Sequence, residues 1–307
     1  MKLLVTGIGG FVGSHVARVA VRRSWEVHGL VRSQRGIERL GDIRAKITLH
    51  EGDLAAPGTD AKIRSLDFDA CIHAAWFAEP SLCLDSLENL NSLQGTLRLA
   101  RALCDGGCRR LVGVGTCFEY GFNSRPARES DPPAPRNLYA ASKVAAGDIL
   151  RSVGATTRME VVWARLFSVY GPLEDPRRLV AYVVDSLLSE KPAKLTLGKA
   201  VRDYLHVEDA ARALADLVAG NQVGLVNVSS GVPTTVRNVA ETIGEIVGRP
   251  DLLEFGALPE NPKDPPCVCA DISKLAGTGW SPRYSLKTGL EDTVKRHRAI
   301  QPVALRP

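Results

Sequence analysis

Lys2-Leu3-Leu4-Val5-Thr6-Gly7-Ile8-Gly9-Gly10-Phe11-Val12-Gly13 is the stretch that decides the fold. Its first five residues form a short, mostly apolar run, the pattern of a strand buried on both faces. Gly7, Gly10 and Gly13 then fall at GxxGxxG spacing, and residues 11–23 follow with helical apolar spacing. Glycines between a strand and a helix let the backbone turn tightly and approach a pyrophosphate, which settles against the helix N-terminus. The stretch therefore reads as a dinucleotide site.

Working outward, residues 26–31, 47–50, 70–73, 111–114 and 160–163 read as further strands, with long helical patterns over 86–104 and 138–153. Strands alternating with helices imply right-handed crossovers and an α/β fold, a Rossmann-type doubly wound parallel sheet. After Gly171-Pro172 the pattern loosens. Helices are predicted over 179–189, 207–219, 236–247 and 286–297, short strands over 195–197 and 225–228, and a Pro-rich loop over 259–266. The expected division is a dinucleotide-binding domain over 1–171 and a smaller substrate-binding lobe over 172–307, interleaved with the first.

With 45% hydrophobic and 24% charged residues, the chain has the composition of a soluble globular protein. Its net charge of +5 is spread out, with only short pairs such as Arg22-Arg23 and Arg109-Arg110, which argues against a nucleic-acid partner. No apolar run approaches the about 18 residues of a membrane span. Met1 to Thr6 leads straight into the glycine run with no room for a signal peptide, so a cytoplasmic location is expected. The seven cysteines are odd in number and scattered, without paired zinc-site spacing; reduced thiols and no metal site are expected.

Tyr139-Ala140-Ala141-Ser142-Lys143 places a phenol and an ammonium four residues apart, on one face of a helix. A nearby ammonium favours phenolate and lowers the Tyr pKa from about 10, giving a proton donor or acceptor near neutrality. Downstream of a dinucleotide fingerprint, the pair points to hydride chemistry on an alcohol or ketone.

The second strand bears on which dinucleotide binds. An acidic residue at its end would hold the ribose hydroxyls of NAD. Here Val31-Arg32-Ser33-Gln34-Arg35 has no carboxylate, and a guanidinium suits a 2′-phosphate, so NADP is favoured over NAD. Asp53, in Gly52-Asp53-Leu54, is a candidate acceptor for the adenine amino group, or a turn residue capping the next helix. Ala74 and Ala75 let the backbone lie against the cofactor, while the preceding His73 reads as a packed histidine.

Taken in order, these motifs resemble the extended short-chain dehydrogenase/reductases of the NAD-dependent epimerase/dehydratase group, which act mostly on nucleotide sugars. The resemblance is carried further by Asn91 with Gly95-Thr96, by Thr116 with Tyr120-Gly121, and by Arg165-Leu166-Phe167-Ser168-Val169-Tyr170-Gly171-Pro172. Arg202-Asp203-Tyr204-Leu205-His206-Val207-Glu208-Asp209 and Ala270-Asp271-Ile272-Ser273-Lys274 complete it. It implies that Thr116 hydrogen-bonds the reacting oxygen, that Tyr139 exchanges its proton, and that Lys143 lowers the Tyr pKa and holds the nicotinamide ribose. Phe11, Val12, Leu54, Asn91 and Leu166 join Gly7, Gly10, Gly13, Arg32, Asp53, Ala74 and Ala75 as implied cofactor contacts. A homodimer through the helices at 86–104 and 138–153 is also implied.

Departures from the group bear on the reaction. Its dehydratases carry Asp then Glu directly after the Thr, where this chain has Cys117 and Phe118, so a 4,6-dehydratase is not expected. Cys117 either points at the substrate or packs as a small residue, Phe118 belongs to the substrate side, and Glu119 is expected to face away. Ser168 replaces the group's Asn. Asn261 stands where an Arg often grips a diphosphate, and Arg202 or Lys263 is a candidate to replace that charge. The first reading is an NADP-dependent reductase of a 4-keto nucleotide sugar, which needs only Tyr139 and a hydride. The alternative is an NAD-dependent nucleotide-sugar 4-epimerase using the same Thr/Tyr/Lys set. Another small carbonyl compound as substrate, and a non-catalytic cofactor-sensing protein, complete the alternatives. The intact Thr116, Tyr139 and Lys143 count against the last.

Overall fold

Short runs with no helical period set the frame, all mostly buried except the edge strand β3: β1 (Lys2–Thr6), β2 (Glu26–Val31), β3 (Ile47–Glu51), β4 (Ala70–His73), β5 (Arg110–Thr116) and β6 (Glu160–Leu166). The structure, a computed structural model, describes residues 1–33, 37–121, 125–262 and 264–300. The crossovers carry α1 (Phe11–Arg22), α2 (Thr59–Ser65), α3 (Glu88–Asp105) and α4 (Leu138–Thr156). The chain then runs through β7 (Ser168–Tyr170), α5 (Leu179–Leu188), β8 (Ala193–Leu195), β9 (Val201–His206) and α6 (Val207–Ala219) before β10 (Gly224–Val228). β10 rejoins the first sheet, whose order is β10-β6-β5-β4-β1-β2-β3 with every neighbouring pair parallel. This is the doubly wound sheet expected from the alternation. Its order reverses between β1 and β4, and sheets of this kind bind ligands in the crevice beyond the carboxyl ends at that point.

α1 and α6 cover one face through Val16, Ala17, Ala20, Ala210 and Leu214. α3 and α4 cover the other through Leu99, Leu103, Ala146 and Leu150, with Trp163 beneath them. Trp163 is fully buried in a slot formed by Gly113 and Gly115 of β5 and Gly147 of α4, where any added Cβ would collide with its indole. The slot draws α4 close to β5, and trimming a buried aromatic of this kind costs about 3–5 kcal/mol.

The remaining elements are β11 (Pro233–Thr235), α7 (Val236–Val247), β12 (Leu253–Phe255), β13 (Cys267–Val268), α8 (Ser273–Ala276) and α9 (Leu286–Ile300). α5, α7 and α9 enclose a second core around Val183, Leu187, Val239, Ile243 and Leu290. β9 is flanked by β7, β11 and β13, while β8 pairs with β12. The strand expected over 195–197 lies two residues earlier. Ala193 and Leu195 are its buried positions, and the Gly198 N–H then turns onto Thr196 Oγ1 (3.2 Å), leaving Leu197 exposed. Among the described residues no helix is long and apolar enough to cross a membrane.

Candidate active site

The turn after β1 is built for close approach. Gly7 adopts φ +69°, and a Cβ there would lie 2.7 Å from the Ala74 carbonyl carbon, so the glycine turn and the Ala74-Ala75 backbone pack against one another. A Cβ on Gly13 would strike the Gly7 carbonyl oxygen. α1 starts at Gly10 with no side-chain cap and no acidic residue in its first turn. The first-turn N–H groups of Phe11, Val12 and Gly13 are thus left for an anionic ligand. This cradle, empty of side chains and positive in dipole, fits a pyrophosphate.

Around it, Leu54 packs over Gly95 of α3, and Leu166 ends β6 in register with Thr116. Asp53 is exposed and accepts from the Ala55 N–H at 2.9 Å, so its carboxylate shapes its own turn. Asn91 is exposed and donates to Glu88 at 3.2 Å. Arg32 stands exposed directly beyond β2, while Gln34 and Arg35 lie outside the described residues. His73 is a packed histidine, held between Thr6 Oγ1 (2.7 Å) and Thr96 Oγ1 (2.8 Å), and burial pushes its pKa down to about 3.

Three elements bring the catalytic candidates together. Thr116 ends β5 and caps the short 3-10 turn Cys117–Tyr120, accepting from the Phe118 N–H at 3.3 Å. Asn137 caps α4 by accepting from the Ala140 N–H at 2.8 Å, which fixes the turn that presents Tyr139. An Asn immediately before a helical run is a capping signal that the sequence reading passed over. Lys143, one turn further on and 4% exposed, donates to the Val114 carbonyl at 2.7 Å.

The phenol does not follow the expectation from its spacing. Burial pushes the Tyr139 pKa up, against the hydrogen bond from Thr116. Burial also pushes the Lys143 ammonium down to about 7, against the attraction of Glu119. Both shifts have burial as their largest cause, since it disfavours phenolate and ammonium alike. Protonation of this pair is therefore set by the few groups that touch it.

Glu119, expected to face away, instead lies beneath Thr116 and within electrostatic reach of Lys143. Fully buried, it accepts from the Thr116 N–H (2.8 Å), Trp163 Nε1 (2.9 Å) and Arg165 Nε (2.6 Å). It is the anchor beneath Thr116. Cys117 is buried, lining a small cavity with Tyr120, Phe167, Cys267 and Cys269, and burial pushes its thiol up to about 12. Phe118 is exposed and meets the Tyr139 ring edge-to-face with centroids 6.3 Å apart. Hence no side chain that transfers protons near neutrality follows Thr116 on its reactive side.

Ser168 of β7 lies in register with Tyr204 of β9. The Arg202 guanidinium is already engaged by Asp264 (2.7 Å) and the Pro265 carbonyl (2.8 Å). Lys263 lies outside the described residues. Among the described residues there is no cluster of three or more metal-ligating side chains.

With this geometry in place, the chain's relatives are informative. The model of the NAD dependent epimerase/dehydratase family matches residues 3–228, and the chain belongs to that family. It is 32% identical to a UDP-glucose 4-epimerase of Streptomyces lividans, with 92% of this chain and 91% of the relative covered. A dTDP-glucose 4,6-dehydratase of an Actinoplanes species is 27% identical, with 97% and 98% covered. Among solved structures, the Thermus thermophilus UDP-glucose 4-epimerase in complex with NAD superposes with a TM-score of 0.89 at 28% identity, covering 98% of this chain and 100% of that one.

Proposed function

We propose that this chain is a nucleotide-sugar 4-epimerase acting with bound NAD, its site formed by Thr116, Tyr139 and Lys143. The observation that carries the reading is this trio without a neighbouring acid or base. Phe118 cannot move a proton, the Cys117 thiol is buried and held protonated, and Glu119 is occupied beneath Thr116. A 4,6-dehydration needs further proton transfers, whereas interconverting a hydroxyl and a ketone at one carbon does not. The similarity to UDP-glucose 4-epimerases supports the same choice.

Tyr139 takes the proton of the sugar hydroxyl as the carbon is oxidised and returns it on reduction. Thr116 holds that oxygen by its hydroxyl. Lys143 supplies the positive charge that lets the phenol ionise. The dinucleotide, when bound across Gly7, Gly10, Phe11, Val12, Gly13, Ala74 and Ala75, supplies the chemistry of taking and returning a hydride at the same carbon. The lobe from residue 172 onward would hold the nucleotide of the substrate, through Ser168 and Arg202 at the junction. Exposed Leu90 on α3 and Ile149 on α4 support a homodimer through these helices.

A second reading, an NADPH-dependent 4-keto-sugar reductase, is favoured by Arg32 and by the absence of a carboxylate at positions 32 and 33. One experiment separates the two. UDP-galactose and UDP-glucose are incubated separately with the purified protein, and the products are quantified. Convergence on one mixture from both ends, without net consumption of dinucleotide, is expected, and Tyr139→Phe should slow it by about 10²–10⁴-fold. No interconversion, with NADPH oxidised by a 4-keto nucleotide sugar, would replace the epimerase with the reductase.

A further inference from the structure

Trp76 follows the Ala74-Ala75 backbone and reaches the catalytic pair from outside its helix. The Lys143 Nζ lies 3.9 Å from the centroid of its ring, over the π face. The same indole packs edge-to-face with the Tyr139 ring, centroids 6.5 Å apart at 81°. It is held in place: Nε1 donates to Asn89 Oδ1 at 2.9 Å, and Asn89, fully buried, donates in turn to the Cys83 (2.6 Å) and Ser86 (2.8 Å) carbonyls. The next N–H, of Phe77, donates to Ser92 Oγ at 3.1 Å, and the Leu84 carbonyl accepts from the Tyr139 N–H at 2.8 Å. The segment after β4 is thus stitched to α3 on one side and to α4 at Tyr139 itself.

We propose that Trp76 is a positioning residue for the Tyr139–Lys143 pair, its π face stabilising the Lys143 ammonium and its ring confining the Tyr139 phenol between itself and Phe118. The proposal rests on the reading of Tyr139 as the proton-transfer group. The physical reason is that other compensation is sparse and Trp76 presents the nearer of the two indole faces at the ammonium. Lys143 sits in dry surroundings, faced by the Val114 carbonyl of β5, by Tyr139 of its own helix, by neutral His73 of β4, by the more distant Trp163 ring of β6 with its centroid 5.6 Å away, and by Glu119, whose carboxylate is already shared with Arg165. In such a place a cation over an indole face is stabilised far more than at an exposed site. The ammonium in turn keeps the phenol able to ionise.

The test reads Lys143 directly and needs no turnover. Protein labelled with ¹³C at lysine Cε is titrated by NMR, with the Lys143 signal assigned from Lys143→Arg. Trp76→Leu should lower the Lys143 midpoint by roughly half to one and a half pH units, the worth of a cation–π contact expressed as a pKa shift. Trp76→Phe should recover most of that. Site-specific replacement of Trp76 by mono-, di- and trifluorinated tryptophan, which weakens the π face while keeping the ring in place, should lower the midpoint stepwise even if the leucine variant folds poorly. A midpoint that stays put across the fluorinated series overturns the proposal. Turnover of Tyr139→Phe tests the underlying reading separately: retained activity there would remove the pair that Trp76 is said to position.

Discussion

Replacing Glu119 by glutamine tests how the active site is anchored. The Glu119 and Arg165 side chains are 0% and 3% exposed and pair at 2.6 Å. Glutamine keeps one acceptor oxygen where the carboxylate has two, and leaves the guanidinium buried without its countercharge. Breaking a buried pair in this way costs about 3–5 kcal/mol, against total stabilities of about 5–15 kcal/mol for a domain. An exposed pair such as Arg101 with Asp105 contributes only about 0.3–0.5 kcal/mol. Urea unfolding followed by circular dichroism should show the large loss, and turnover should fall because the support beneath Thr116 is disturbed. Changing both partners together, Glu119→Leu with Arg165→Met, should be more stable than Glu119→Gln alone, since no uncompensated charge remains. A loss below about 1 kcal/mol for Glu119→Gln, or a double variant no better than the single one, would refute the anchor argument.

Gly13→Ala should weaken dinucleotide binding at least about tenfold in calorimetric titration, because the added Cβ can be accommodated only by moving the Gly7 carbonyl; unchanged affinity would dissociate the turn from cofactor binding. Glu174 offers a pH-dependent test: burial pushes its carboxyl up to about 8, and its Oε2 has no hydrogen-bond partner. The unfolded chain releases that proton above about 4.3 while the folded chain keeps it to about 8, so the wild type loses stability as pH rises through this window. Relative to wild type, Glu174→Leu should therefore gain more than about 1 kcal/mol between pH 5 and pH 8.5 in urea unfolding, and an equal difference at both pH values would contradict the buried-acid assignment.

What was legible in the sequence was what depends on neighbours along the chain. The β1 turn could be read because a helix N-terminus, a positive φ and a close backbone approach are local demands that glycine spacing meets. The Tyr139–Lys143 pair could be read because four residues make one helical turn. The central strands of the parallel sheet, buried on both faces, stood out as apolar runs. The three-residue strands β7, β8, β11 and β12 span only a single alternation of a strand's two-residue period, and β8 lies two residues before the strand that the pattern predicts. Tertiary structure alone decided the electrostatics. Tyr139 and Lys143 are shifted by burial, which no spacing reveals, and in the phenol's case opposite to what the spacing implied. Glu119 became an anchor because β5 and β6 lie side by side and bring Arg165 to it across 46 residues of sequence. Trp76 met Lys143 only because β4 ends beside the helix that carries the lysine. Desolvation and long-range pairing are properties of packed neighbours, and those neighbours are chosen by the fold.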